Sequence, residues 1–342
     1  MPGLPDVAAS LVAAGRGILA ADESIVTMSM RLEGVGIAAR PESRRDYREL
    51  LLTTPGLSTW ISGVILNDET VHQTMRDGTP FIDAAVAMGI AAGVKVDAGV
   101  TPLPFADGGT VTVGLDGLGE RLTHYRELGA TFAKWRAVLV PSGMDRRTIV
   151  ANAHVLARYA AQCQEAGVVP IIEPEVIMDG GHSAALCQAI TANSLRAVFE
   201  ELDRMGADPS ALIVKSNMVT QGSLVGAPQD ADDVARRTIR TLRETVPADV
   251  PGVAFLSGGQ SNARACRNLM AINRVGRAQN VPWPLTFSFG RALVDDALHA
   301  WRGDRARVAQ AQSALAANCA RAADAMALSA TAHPADADSA VA

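Results

Sequence analysis

Lysine is almost missing from this chain. Of its 31 basic residues only three, Lys95, Lys134 and Lys215, are lysines, and the rest are Arg. Cysteine is also sparse: Cys163, Cys187, Cys266 and Cys319 lie far apart with no CxxC pair. That spacing argues against a disulfide framework or a structural zinc site and suits a reducing cytoplasm. The six histidines show no pair at metal-ligand spacing, so no metal is expected. Long apolar runs are missing too. The longest stretch without a charged side chain, residues 50–67, is interrupted by Pro55 and Gly56 and falls short of the about 20 apolar residues that span a bilayer. No basic cluster precedes the first apolar stretch, so a secretory signal is not expected. Nor is there an excess of positive charge: the net charge of −5 argues against a nucleic-acid-binding face and against a polybasic membrane anchor.

What is present is enough apolar material for a large core. The 342 residues are 48% hydrophobic and only 20% charged, a balance that excludes disorder over most of the length. Eight short β-rich apolar runs recur along the chain, at residues 17–21, 62–66, 92–96, 131–138, 168–172, 212–215, 252–256 and 285–289. Most of the gaps contain helix-period stretches, such as 152–165 and 231–244. Near-continuous apolar strands alternating with helices predict a parallel sheet covered on its faces. Eight such units close most naturally into a (β/α)8 TIM barrel of the α/β class. A doubly wound open sheet is the rival, but no GxGxxG follows the first strand. The expectation is a single barrel domain over residues 1–329. Residues 330–342, mostly Ala, Asp, Ser and Pro, are read as a flexible tail.

In such a barrel, catalytic groups belong at the C-terminal ends of the strands. Those ends supply Asp22 with Glu23 and Ser24, Lys95 with Asp97, Lys134 with Arg136, Glu173 with Glu175, Lys215, Ser257 with Gly258 and Gly259, and Ser288 with Gly290 and Arg291. Side chains alternate across a strand, so the members of pairs such as Lys134 and Arg136 share a face. All three lysines sit in apolar segments (AAGVKVD, FAKWRAVL and ALIVKSN). Arg cannot replace an amine that must lose a proton and attack a carbon. Lys215 is the strongest candidate nucleophile, with no acidic residue near it in sequence. Lys134 is read as a neighbouring cation, and Glu173 and Asp22 as proton carriers. The alternative is that these groups are buried ion pairs plugging the barrel end. FLSGGQS and FSFGRAL fit a phosphate site at the last two strands. Ser24, Thr27, Arg31 and Lys95 offer a second anion site. Arg44, Arg45 and Arg48 read as a solvated helix face, with the alternative that one of them reaches a phosphate.

Together GRGILAADES, GVKVDAGV, FAKWRAVL, VVPIIEPE, IVKSNMV, GVAFLSGGQS and LTFSFGRAL closely resemble the class I, Schiff-base fructose-bisphosphate aldolase family. The resemblance runs from about residue 15 to about residue 328. It implies a metal-free, cofactor-free lyase of glycolysis and gluconeogenesis, usually a cytoplasmic homotetramer. Such an enzyme reversibly cleaves fructose 1,6-bisphosphate into dihydroxyacetone phosphate and glyceraldehyde 3-phosphate. By resemblance Lys215 is the Schiff-base lysine, Glu173 the acid and base for imine formation, Lys134 the cation beside it, and Asp22 the carboxylate acting at the C4 hydroxyl. Arg136 and Glu175 are supporting charges. Ser257, Gly258, Gly290 and Arg291 match the C1 phosphate site, with Gly259 and Ser288 beside them. Ser24, Thr27, Arg31 and Lys95 match the far end of the substrate. Three departures are expected to matter. Ser216 stands where animal and plant forms usually carry Pro, Met30 replaces a common Lys and removes one distal phosphate contact, and the last tyrosine of this chain is Tyr159, where many members end in one.

Overall fold

Each of the eight apolar runs forms a strand of a closed parallel barrel in the computed structural model, which describes residues 3–13, 15–227 and 229–327. The expected tail, residues 330–342, lies outside the described residues. The strands are β1 (Gly17–Ala20), β2 (Ile61–Leu66), β3 (Ala91–Lys95), β4 (Val100–Pro102), β5 (Thr110–Thr112), β6 (Phe132–Leu139), β7 (Val169–Val176), β8 (Ile213–Ser216), β9 (Val253–Phe255) and β10 (Leu285–Phe289). The barrel order is β1-β10-β9-β8-β7-β6-β3-β2, and β4 and β5 form a separate antiparallel hairpin. That hairpin was not expected, because its residues are largely exposed and too few to give a pattern.

Helices fill the intervals: α1 (Leu4–Leu11), α2 (Ile25–Gly34), α3 (Pro41–Leu52), α4 (Asp68–Val71), α5 (Phe81–Ala87), α6 (Leu118–Glu127), α7 (Arg146–Glu165), α8 (Ala184–Met205), α9 (Ala231–Thr245), α10 (Asn262–Ala278), α11 (Arg291–Trp301) and α12 (Val308–Ala327). Many start where a side-chain oxygen satisfies a first-turn N–H. Ser24, Asp145, Ser183, Asp230 and Ser261 cap α2, α7, α8, α9 and α10 in this way. The helices bury their apolar stripes on the outer faces of the strands, in one continuous core.

The barrel interior holds a second, smaller core, and it explains where the polar groups go. Ile18, Ile65, Phe132, Val169, Ile171 and Ile213 pack inside the lower barrel, and Leu11 of α1 closes it from below. Two positions further along the same strands, the inward side chains become ionisable: Phe132 is followed by Lys134, Ile171 by Glu173, and Ile213 by Lys215. The two-residue period of a strand thus stacks an apolar floor beneath a charged layer. Glycines make room for that floor. A Cβ on Gly93 would come 2.2 Å from the Phe132 ring, and one on Gly63 would come 2.9 Å from Leu11.

Strand β7 runs four residues past the expected run despite Pro174. Its last stretch pairs with β6 throughout, from Arg136 opposite Glu173 to Leu139 opposite Val176. On the other side the ladder to β8 ends at Ile172, and the Asn217 side chain instead accepts a hydrogen bond from the Val176 N–H at 3.1 Å. This extension carries Glu173 and Glu175 to the mouth.

Gly93→Ala is expected to destabilise the barrel by about 1–3 kcal/mol through overpacking against Phe132. The midpoint of urea denaturation reads the effect, and an unchanged midpoint would contradict the packing described.

Candidate active site

The charged layer opens into a cavity of about 580 Å³ at the C-terminal ends of the strands. All sixteen site residues expected from the sequence line it. At its floor four side chains meet. Lys215 Nζ lies 2.9 Å from Glu173 Oε1, and Lys134 Nζ lies 3.3 Å from Glu173 Oε2 and 2.6 Å from Asp22 Oδ2. All four residues are buried. The order Lys215, Glu173, Lys134, Asp22 is therefore a chain of alternating amines and carboxyls contributed by β8, β7, β6 and the segment after β1.

The electrostatics fix the resting charge of three of these groups. Burial pushes the Asp22 carboxyl up, but Lys134 and Lys215 outweigh it and hold the group at about 2. Burial also works against charge on Glu173, and Lys215 and Lys134 hold that carboxyl below its ordinary value. Burial would favour a neutral Lys134, yet Asp22 and Glu173 keep its ammonium above the ordinary lysine range. Asp22 and Glu173 are thus carboxylates at neutral pH and Lys134 is a cation.

One end of the cavity gathers groups of the kind that hold an anion. Gly258 and Gly259 follow β9 with φ of 55° and 79°, a left-handed conformation that glycine adopts without strain. A Cβ on Gly258 would meet Met178 at 2.8 Å. Opposite, α11 starts at Gly290 and Arg291 with no side-chain cap on its first N–H groups, which leaves donors directed at a ligand. Ser257 and Ser288 add hydroxyls, and the buried Ser288 Oγ has no partner within the protein. Arg291 is exposed at the rim, and its guanidinium reaches toward Gly259.

The other end is polar but internally paired. Ser24 caps α2, and its hydroxyl donates to Thr27 Oγ1 at 3.0 Å. Lys95 Nζ lies 2.6 Å from Asp97 Oδ1, Arg31 is paired with Glu23 and with Asp295, and Arg136 is paired with Glu175.

Several expectations need revision. Lys215 has an acidic partner after all, because Glu173 reaches it from the neighbouring strand. Arg44 and Arg48 are not on a solvated face. They are buried at 7% and 2% exposure, with Arg44 on Glu69 and Arg48 on Glu23, because α3 packs this side toward α2 and α4. Glu23 and Asp97, present at the strand ends but given no role from the sequence, also line the cavity. Glu23 was legible only as part of the ADES run, and Asp97 as the face-mate of Lys95. Asp295 had no signal, since it lies on α11, far from α2 in sequence. His72 and His124 stack with their Nε2 atoms 3.1 Å apart, away from the cavity. Among the described residues no group of three or more His, Cys, Asp or Glu is arranged to hold a metal ion.

A family model described as fructose-bisphosphate aldolase class-I matches residues 3–340. A probable fructose-bisphosphate aldolase class 1 of Xanthomonas campestris pv. campestris is 48% identical over 306 residues, covering 88% of this chain and 90% of that protein. Fructose-bisphosphate aldolase C of Pan troglodytes is 47% identical over 308 residues, covering 88% and 83%. Among solved structures, the aldolase of Plasmodium falciparum, crystallised with TRAP and a small-molecule inhibitor, superposes with a TM-score of 0.91 at 42% identity. That superposition covers 94% of this chain and 93% of the other.

The Asp22 shift has a consequence for acid stability. The unfolded carboxyl, near 3.8, binds its proton before the folded one, near 2, so folding stability falls as pH drops through that interval and is fully present above it. The contribution is about 2 kcal/mol. Denaturant unfolding between about pH 5 and pH 2 is expected to show a shallower acid loss in Asp22→Asn than in the unaltered protein, and identical slopes would contradict the network.

Proposed function

Because the chain belongs to the class-I fructose-bisphosphate aldolase family, we propose that Lys215 is the amine through which it works. The enzyme is a lyase that reversibly cleaves fructose 1,6-bisphosphate to dihydroxyacetone phosphate and glyceraldehyde 3-phosphate. The observation that carries the assignment is the buried Lys215 amine, 2.9 Å from a carboxylate that is itself paired with a second, permanently charged lysine.

In this reading the C1 phosphate sits between Gly258, Gly259, Gly290 and Arg291, which brings the C2 carbonyl of the open-chain sugar over Lys215. The nitrogen attacks C2. Glu173 relays two protons in turn from the Lys215 nitrogen to the C2 oxygen, the first giving the carbinolamine hydroxyl and the second letting that hydroxyl leave as water. The resulting iminium is positive where an ammonium would stand, so the carboxylates that face one also face the other. Asp22 then takes the C4 hydroxyl proton, the C3–C4 bond breaks, and its electron pair converts the iminium into a neutral enamine while the aldehyde departs. Asp22 is a weak base in the resting site because Lys134 and Lys215 hold it ionised. Loss of positive charge at the Lys215 nitrogen during cleavage raises its proton affinity at that moment. Lys134, retained as a cation, keeps the two carboxylates apart in charge and place. Protonation at C3 and hydrolysis of the imine release the second product and restore Lys215.

Arg136 and Glu175 are assigned to support at the same mouth, and Ser24, Thr27, Arg31 and Lys95 to the distal end of the sugar. Family membership supports a metal-independent homotetramer acting on these phosphorylated sugars. Four buried, unpaired cysteines support a cytoplasmic site of action. No helix among the described residues is long and apolar enough to cross a membrane. A single barrel domain over residues 1–329 is the domain reading we adopt.

Lys215→Met keeps the length and apolar stem of the side chain, so the far-ultraviolet circular dichroism is expected to be retained. Cleavage of fructose 1,6-bisphosphate is expected to fall by about 10⁴-fold or more. Glu173→Gln, which removes the proton carrier together with the charge facing Lys215 and Lys134, should lower kcat by about 10²- to 10⁴-fold. Near-normal turnover in Lys215→Met would rule out the assignment.

A further inference from the structure

The two ends of the cavity differ in how their cations are engaged. Six basic side chains and five carboxylates line it, which leaves one positive charge over. Geometry shows which one it is. Arg31, Lys95, Lys134, Arg136 and Lys215 each lie within ion-pair distance of a carboxylate, whereas Arg291 has no such partner among the described residues. Immediately behind the lining, Arg48 and Asp295 add one charge of each sign and leave the balance as it was.

At the distal end Arg31 is held from two sides. Glu23 pairs with it from the turn after β1, and Asp295 Oδ1 of α11 lies 2.7 Å from its Nη2. Glu23 does not compensate by being free, since its other oxygen lies 2.7 Å from Arg48 Nη1. The exposed side chains of α2 supply no further cation beside Arg31: Ile25, Val26 and Met30 are 48%, 67% and 59% exposed, and Thr27 and Glu33 are exposed too. A phosphate arriving here meets two cations that are already paired, Arg31 with Asp295 and with the Glu23 it shares with Arg48, and Lys95 with Asp97. A phosphate at the Arg291 end meets an unmatched guanidinium, uncapped helix N–H groups and a glycine turn.

We propose that Asp295, acting with Glu23, is a specificity-determining residue that keeps Arg31 neutralised. As a result the distal phosphate adds little to recognition, and the enzyme takes ketose 1-phosphates nearly as readily as ketose 1,6-bisphosphates. The proposal rests on the assignment above of the C1 phosphate to the Arg291 end. Asp295 touches no reacting atom. It acts through Arg31, and its side chain is half exposed, so removing its charge leaves the barrel intact.

The test compares kcat/KM for fructose 1,6-bisphosphate and fructose 1-phosphate in the full-length enzyme, in Asp295→Asn and in Asp295→Glu. The unaltered enzyme is expected to prefer the bisphosphate by no more than about tenfold. Asp295→Asn should raise that ratio by about fivefold, through a lower KM for the bisphosphate alone, with the gain shrinking as salt is added. Asp295→Glu should restore the original ratio. A merely structural role for Asp295 would shift both substrates together, and that result, like a larger starting preference or an unchanged ratio in Asp295→Asn, overturns the proposal. If the unaltered enzyme cleaves neither sugar, the aldolase mechanism itself fails and the specificity argument fails with it.

Discussion

The Lys134 ammonium, held between Asp22 at 2.6 Å and Glu173 at 3.3 Å, is the interaction on which the rest of the site depends. Four ionisable groups packed at the end of a barrel would each carry a large desolvation cost if isolated. Arranged as lysine, carboxylate, lysine, carboxylate, they balance one another. Removing any one leaves a buried charge unmatched, which is costlier than never having had the pair. The same balance sets the chemistry. Lys134 stays charged, so Asp22 and Glu173 stay ionised until a proton or a bond moves next to them.

This charge network needs a dry, rigid base, and the lower barrel provides it. Phe132, Ile171 and Ile213 lie inside the barrel, two residues before Lys134, Glu173 and Lys215 on their strands. A slip of one residue in any of the three would turn its ionisable group outward into the apolar layer beneath the helices. Stability of the fold and placement of the reacting groups are therefore one constraint. The same alternation that fills the floor points the functional atoms at the mouth.

Much of this could be read from the chain because the signals were local. Strands with apolar runs declared themselves, and the scarcity of Lys made Lys95, Lys134 and Lys215 conspicuous in segments where Arg cannot serve. Features produced by contacts across the chain were not legible. Pro174 hid the end of β7, whose pairing is completed by the Asn217 side chain just past the end of β8. The hairpin of β4 and β5 has too few buried residues to show a period. Arg44 and Arg48 look like solvent-facing charges until α3 is packed and Glu69 and Glu23 are found opposite them. Asp295 gains its meaning only when α11 is laid beside α2. Even Lys215 looked isolated from acids in one dimension, and it acquires Glu173 only when β7 and β8 come together.

Chemical trapping of the nitrogen–carbon bond tests the central claim most directly. The enzyme is incubated with dihydroxyacetone phosphate in the presence of EDTA, reduced with borohydride and digested for peptide mass mapping. The mechanism predicts one reduced adduct, on the peptide that contains Lys215, with Lys95 and Lys134 unmodified. Continued cleavage of fructose 1,6-bisphosphate with no adduct on Lys215 would contradict it.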